Sequence, residues 1–208
     1  MIRTSLLGLG GTPFTDVAIE RAVELGHHHK AIITAVTVVN SEALERIGPV
    51  PVGGGAYAQR MRRRRREETE AAIKKAIENF QQRCRFAGIP SRIEQEKGDP
   101  FSLMARHARF NDLTIFGLRS LFDYGITAEP KAALINLLAQ GVRPIIAVSE
   151  QYRPIRKALI AFNGEMPSAK AMRRFAQIDA WPGVTLDIVT FHKPDDAASR
   201  LLEDAADY

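Results

Sequence analysis

An internal repeat limits the possible folds of this 208-residue chain more than any other feature of its sequence. When the sequence is shifted by 153 positions, Ser5–Val39 aligns with Ala158–His192 without a gap. Apolar residues mostly face apolar residues in this alignment, as a repeated fold requires. Two unrelated strand–helix–strand units of equal length are the alternative, but the identities favour a duplication. The identical pairs are Leu6/Leu159, Gly11/Gly164, Ala18/Ala171, Arg21/Arg174, Val36/Val189 and Thr37/Thr190.

Strand and helix patterns alternate through the first copy, residues 1–150. This alternation predicts an α/β domain, in which a five-stranded parallel open sheet carries helices on both faces. A glycine-proline loop at Ile47–Ala56 precedes the longest helix. The predicted strands are Ser5–Leu9, Ala31–Val39, Arg92–Glu96, Leu113–Gly117 and Pro144–Val148. The predicted helices are Pro13–Leu25 after the N-cap Thr12, Ala58–Phe86, Phe101–Ala108 and Pro130–Gln140.

The second copy, residues 151–208, supplies only the first part of such a domain. Strands are predicted at Lys157–Phe162 and Thr185–Phe191, a helix at Ser168–Ile178, and a further helix begins before Tyr208. Two strands and two helices bury too little apolar surface to be stable alone. We therefore expect a truncated second domain that packs on the first domain, on another chain or on residues beyond this sequence. A homodimer or another form of self-association is the expected partner state.

The composition is that of an ordinary globular protein, with 45% hydrophobic and 25% charged residues. No apolar stretch approaches the ~18 residues of a membrane helix, and Met1–Gly11 is too short and strand-like for a signal peptide. A single cysteine, Cys84, excludes an intramolecular disulfide and fits a reducing compartment. We therefore expect a cytoplasmic protein with no membrane partner.

The chain resembles universal stress proteins in three features: the five-stranded unit, the loop and long helix after strand two, and the tandem duplication. Nucleotide-binding members of that family carry Gly-x2-Gly-x9-Gly-[Ser/Thr] after strand four and an acidic residue at the end of strand one. The spacing of this motif is kept here, but most of its residues are replaced. The resemblance implies that any nucleotide would bind at Gly10, Val38, Gly117, Ser120, Lys131 and Asn163.

Two residues beside Lys131 oppose a phosphate at this site. A phosphate loop works because successive backbone N–H groups point at the anion and the helix dipole assists them. Pro130 stands at the third glycine position, removes one donor and crowds the approach that glycine allows. Glu129 adds a carboxylate that repels a triphosphate. Lys131 is the counter-argument, because an ammonium group neutralises phosphate charge. We expect the loop to be the relic of a nucleotide site.

The arginine-rich run Arg60–Glu70 suggests a nucleic-acid arm, since clustered arginines release counterions from phosphate backbones. However, Arg63/Glu67, Arg64/Glu68 and Arg66/Glu70 are spaced i,i+4, which predicts ion pairs along a helix surface. No aromatic residue interleaves to stack bases, and no recognition motif follows. We predict a solvated helix or a subunit contact rather than a nucleic-acid site.

Metal binding and catalysis find little support in the sequence. Adjacent histidines such as His27–His29 splay apart, and the repeat aligns them with a helix-to-strand turn. His107 is predicted to be a partly exposed helical residue. Cys84 lies between Arg83 and Arg85, whose charge would lower the thiol pKa, but no base or oxyanion loop accompanies it. We predict a packed thiol, no metal and no catalytic residue.

Together these patterns predict a non-enzymatic stress-response or interaction module without a cofactor. The alternative is an ATP-binding universal stress protein. Its nucleotide would bind at the degenerate first loop or in the part of the second domain that is absent here. A weak nucleotide hydrolase would need that ATP site first.

Overall fold

The computed structural model describes residues 1–39, 54–117, 135, 138–139, 144–191 and 196–208. The chain forms two compact units. One spans Ile2–Tyr152, and the other comprises Arg153–Tyr208 together with Met1.

The first unit is a parallel sheet with the strand order β3-β2-β1-β4-β5. The predicted five-stranded parallel sheet is therefore confirmed, and its strand order reverses between β1 and β4. Most predicted boundaries lie within one or two residues of those observed. The predicted helix Pro130–Gln140 lies outside the described residues, apart from helical Ile135, Leu138 and Ala139. The elements are β1 (Thr4–Gly8), α1 (Pro13–His29), β2 (Ile32–Val39), α2 (Gly55–Ala87), β3 (Ser91–Lys97), α3 (Pro100–Ala108), β4 (Leu113–Gly117) and β5 (Ile145–Val148).

Helices cover both faces of this sheet, as predicted. Gly26 of α1 lies against Ile33, because a Cβ built on it would be 3.0 Å from the Ile33 Cδ1 atom. Val36 belongs to a buried cluster that includes Met104 of α3. Since Ile33 and Val36 point to opposite faces of β2, α1 and α3 lie on opposite sides of the sheet. The central strands are buried on both faces, which explains their continuous apolar runs.

Helix α1 continues to His29, so the predicted end at Leu25 and the turn at His27–His29 are wrong. His29 lies four residues after Leu25 and is buried with it on one face of the helix. The helix ends at Lys30, which adopts a left-handed conformation with φ of 54°. Cationic groups are also favourable in the last turn of a helix, where the dipole is negative.

The second unit contains a parallel pair of strands and two helices. The predicted strands extend too far, because pairing stops at Ala161 and Val189, before Phe162 and Phe191. The helix begins at Met166, two residues before its predicted start. The elements are β6 (Lys157–Ala161), α4 (Met166–Ile178), β7 (Thr185–Val189) and α5 (Asp196–Ala206).

Strand pairing in the second unit follows that of the first at an offset of 153 residues. Thr4 pairs with Ile32 in the first unit, and Lys157 pairs with Thr185 in the second. All five residue pairs between β6 and β7 are those of β1 and β2 with 153 added to each number.

Local geometry after the first strand also corresponds. Leu9 N–H donates to the Val36 carbonyl at 2.9 Å, and Phe162 N–H donates to the Val189 carbonyl at 2.8 Å. Gly11 and Gly164 both have positive φ, 67° and 77°. The two strand–helix–strand segments therefore share their register, one strand-end hydrogen bond and a left-handed glycine.

Candidate functional site

The candidate site of the first unit lies at the carboxyl ends of its parallel strands. Ligands of open α/β sheets bind outside these ends, at the point where strand order reverses. In this sheet the reversal falls between β1 and β4. The loops that follow these two strands therefore form the expected crevice, and the described part of it comprises residues 9–12 and Gly117.

Three of the six predicted site residues come together at this edge. Gly10 follows β1, Val38 is near the end of β2, and Gly117 ends β4. These strands are neighbours in the order β2-β1-β4. Ser120 and Lys131 lie outside the described residues, as do Glu129 and Pro130.

None of the three described positions presents a polar side chain. Val38 is only 7% exposed and packs in the cluster with Leu6, Met104 and Phe116. Gly10 is buried, and both it and Gly117 can offer only backbone groups. Recognition by a carboxylate at the end of β1 is therefore impossible at Gly10.

The loop after β1 is packed closely against α2, a feature that the sequence did not reveal. Gly11 has a φ of 67°, which L side chains rarely adopt. A Cβ at this position would lie 3.1 Å from the Ala72 Cβ and 3.2 Å from the Ile73 backbone nitrogen. The glycine pair Gly10-Gly11 could have indicated that another part of the backbone packs closely against this loop. Nothing in the sequence identified α2 as that neighbour.

The start of α1 forms hydrogen bonds within the protein. Thr12 N–H donates to the Thr15 hydroxyl at 3.0 Å, and Thr15 N–H donates to the Thr12 carbonyl at 2.9 Å. Asp16 lies in the first turn and accepts a hydrogen bond from Asn79 of α2 at 2.7 Å. Because this carboxylate already complements the helix dipole, the N-terminus of α1 is a poor anion site.

Asn163, the sixth predicted residue, lies after β6 in the second unit. Its Oδ1 atom accepts hydrogen bonds from the Ser168 hydroxyl at 2.6 Å and from Glu165 N–H at 3.1 Å. It borders a cavity of ≈ 540 Å³ whose apolar lining includes Phe162 and Phe191. Glu165 also lines this cavity and carries a negative charge, so the surroundings disfavour a phosphate.

Charged residues outside the strand reversal form ion pairs with one another. The predicted pairs Arg63–Glu67, Arg64–Glu68 and Arg66–Glu70 are confirmed, with N···O distances of 2.7, 2.8 and 2.9 Å.

Glu96, at the end of β3, contacts both His107 and Arg106 of α3. The hydrogen bond with His107, assisted by Arg106, lowers the pKa of the Glu96 carboxyl group. His107 was predicted only as a partly exposed helical residue, and this link from β3 to α3 was missed.

Cys84 is a packed thiol, as predicted. It is 1% exposed, and burial raises the pKa of its thiol. The expected lowering by Arg83 and Arg85 is wrong, because the pKa is set mainly by desolvation of the thiolate, opposed only by a smaller effect of a hydrogen bond with Ser91.

The histidine run is divided between the core and the surface. His29 is buried, whereas His27 and His28 are exposed. Among the described residues, no group of three His, Cys, Asp or Glu side chains is arranged to hold a metal ion. Within the same ranges, every helix is too short or too polar to cross a membrane.

Comparison with known proteins concerns mainly the first unit. Residues 1–115 match the family model described as the universal stress protein family. No curated protein matches the chain significantly.

Among solved structures, a universal stress protein from Archaeoglobus fulgidus DSM 4304 has a TM-score of 0.60 at 15% identity, covering 98% of this chain and 72% of that one. A universal stress family protein from Burkholderia pseudomallei has a TM-score of 0.45 at 19% identity, covering 70% and 94%. One from Arabidopsis thaliana, solved with AMP bound, has a TM-score of 0.45 at 13% identity, covering 71% and 91%. The Archaeoglobus structure shares the fold of this chain.

Proposed function

The chain belongs to the universal stress protein family, and from this premise we propose that it is a non-enzymatic stress-response or interaction module. In this proposal the first domain has lost most of the family's nucleotide-binding motif and needs no cofactor. Its cellular location is the cytoplasm.

The observation that carries the proposal is the chemistry of the carboxyl edge at the strand reversal. Gly10 stands where nucleotide-binding members carry an acid, and the neighbouring Val38 side chain is buried in the core. Gly11 is packed against α2, so α2 lies directly beside the loop after β1. Edge residues that offer no polar side chain give a nucleotide little to recognise.

The loop sequence after β4 supports the same conclusion. Pro130 has no N–H to donate to a phosphate, and Glu129 adds negative charge at the predicted helix start. Lys131 supplies one positive charge, which opposes the negative charge of Glu129. A triphosphate would therefore meet fewer backbone donors and more repulsion than in a glycine-rich loop.

We further propose that the second unit repeats the first part of the domain. The shared strand register and the two left-handed glycines support this interpretation. We also propose that the chain self-associates, for which a homodimer is the simplest form.

Titration calorimetry of the 208-residue chain with Mg-ATP tests the proposed loss of nucleotide binding. We expect no dissociation constant in the micromolar range or below. The double variant Glu129→Gln/Pro130→Gly should bind ATP more tightly than the parent, because it restores a donor and removes a carboxylate. The matched control Glu78→Gln removes an exposed carboxylate of α2, away from the loop after β4, and should change nothing.

Micromolar binding by the parent would favour the ATP-binding alternative and contradict the proposal. Equal ATP affinity of the parent and the double variant would show that Glu129 and Pro130 do not cause the loss of nucleotide binding.

A further inference from the structure

The N-terminal half of α2 extends past the carboxyl end of the central strand β1. Gly11 follows β1, and a Cβ built on it would lie within 3.2 Å of Ala72 and Ile73, near the middle of α2. Because α2 connects two parallel strands, it runs from the carboxyl edge of the sheet back to the amino edge. The part before Ala72, Gly55–Ala71, therefore lies beyond the end of β1 and is called the arm below. At a rise of about 1.5 Å per residue, the arm is roughly 25 Å long.

Two arginines of the arm lie on the side of α2 that is packed further along the helix. Ile73 and Ala76 are buried residues of α2 within the first unit. Arg62 and Arg65 stand eleven residues before them, which is about three helical turns, so they share that side of the helix. Both arginines are nevertheless exposed. The packed side of α2 therefore continues onto the arm as two guanidinium groups that face solvent.

The charges of these two arginines are not neutralised within the helix. The ion pairs of the arm join an arginine to a glutamate four residues later. Four residues after Arg62 and Arg65 stand Arg66 and Thr69, which carry no negative charge. Within the described part of the chain, neither arginine forms an ion pair. The first turn of α2 also contains no acidic residue, so the positive end of the helix dipole adds to the attraction for an anion.

From this arrangement we infer that the arm binds an acidic segment of a partner protein, and that Arg62 and Arg65 make the contacts. The inference rests on the proposed function as an interaction module and names the class of partner. A guanidinium group binds a carboxylate through two parallel hydrogen bonds. Side chains three residues apart on a helix lie about 5–6 Å from each other. Two carboxylates one helical turn apart on the partner therefore match the two arginines.

The charge pattern of the arm favours a protein over a nucleic acid or a membrane. A duplex binds tightly where many cations follow its phosphates. Three arginines of the arm are already paired, and the glutamates that they pair with repel a phosphate backbone. An amphipathic helix that inserts into a membrane surface needs an apolar side, whereas the arm carries Arg62 and Arg65 on the side in question. Two free guanidinium groups suffice for a short acidic segment.

Fluorescence anisotropy of a labelled acidic peptide, titrated with the 208-residue chain at low salt, tests this inference. The probe is an alanine-rich helical peptide with glutamates spaced i,i+3, and the same peptide with glutamines is its control. Arg62→Gln/Arg65→Gln should weaken binding of the glutamate peptide about fivefold or more, because two charge pairs are lost. Lys74→Gln/Lys75→Gln removes the same charge from exposed positions of α2 outside the arm and should change the affinity by less than about twofold.

Three results would overturn the inference. The first is the absence of binding, or equal binding of the glutamate and glutamine peptides. The second is equal weakening by the arginine and lysine variants, because net charge rather than the arm would then govern binding. The third is tighter binding to a DNA duplex or to phosphatidylserine vesicles than to the peptide, with dependence on Arg62 and Arg65. That result would identify a nucleic acid or a membrane as the partner of the arm.

Calorimetry of the same proteins with Mg-ATP separates this failure from a failure of the proposed function. If neither the peptide nor ATP binds, the choice of partner is wrong and the proposed loss of nucleotide binding stands. Micromolar ATP binding that Arg62→Gln/Arg65→Gln weakens would mean that the arm serves a nucleotide, and both proposals would fail. Micromolar ATP binding that the variant leaves unchanged would contradict the proposed function alone, and the peptide titration would still decide on the arm.

Discussion

At the residue scale, Gly11 combines a left-handed backbone with close contact to α2. A Cβ on Gly11 would meet backbone atoms of Ala72 and Ile73 at 3.2 Å, and a helix backbone cannot move aside as a side-chain end can. Gly88 has nearly the same φ, 65°, but nothing lies within 4 Å of its Cβ position. Comparing substitutions at the two glycines therefore separates the free-energy cost of the left-handed conformation from that of the contact with α2.

We expect Gly11→Ala to lower the free energy of unfolding more than Gly88→Ala. Both substitutions place a Cβ in the left-handed region, at a cost of about 1–2 kcal/mol. Gly11→Ala adds a clash with α2 worth about 1–3 kcal/mol more. Urea denaturation of the two variants measures the difference. Equal losses would show that α2 does not press on this loop.

Several contacts at this scale were not predictable because their partners belong to different elements. Gly11 and Ala72 lie in different elements, and so do Glu96 and His107. No pattern within either element identifies the other. The end of α1 was missed for a different reason, since His29 was counted as polar although it continues the buried stripe through Leu25.

At the element scale, the strands were predictable because burial on both faces leaves a continuous apolar sequence. The β-branched run of β2 and the sequence Leu113–Gly117 of β4 show this most clearly, and the bounds of β4 agree fully. The second-unit strands were predicted too long because Phe162 and Phe191 are apolar. In the structure these two side chains border a cavity and take no part in strand pairing. Of the candidate site, the sequence named Gly10, Val38 and Gly117, and the structure places these three at one edge of the sheet.

The arginine-rich part of α2 is an exposed helix surface held by its own ion pairs. Exposed i,i+4 pairs contribute little to stability, because water and salt screen them. Changing Arg62–Arg65 to glutamine removes the pairs of Arg63 and Arg64 and should lower the melting temperature only slightly. The association state should not change. Lys74→Gln/Lys75→Gln on the same helix is a matched control for loss of charge.

Any affinity of this surface for DNA should be weak and lost by ~200 mM salt, as expected for contacts to phosphates alone. Fluorescence anisotropy with two duplexes of different sequence measures this. Sequence-selective binding that persists at that salt, and that the glutamine variant abolishes, would contradict the interpretation of this helix as a solvated surface.

At the scale of the whole molecule, one strand–helix–strand design occurs in both units, but their surroundings differ. In the first unit β4 and α3 cover β1, so Leu6 and Val36 are buried. In the second unit Leu159 is exposed. The same strand pairing therefore occurs in two different surroundings, one of which leaves an apolar side chain exposed.

The nucleotide content of the purified chain tests this account most directly. Protein prepared without added nucleotide is denatured, and the released small molecules are separated by chromatography with detection of adenine absorbance. We predict far less nucleotide than protein, because Gly10, Val38 and Gly117 offer no polar side chain and the sequence Glu129–Pro130 opposes phosphate. Release of adenine nucleotide in stoichiometric amounts would contradict the account and establish an ATP-binding type of universal stress protein instead.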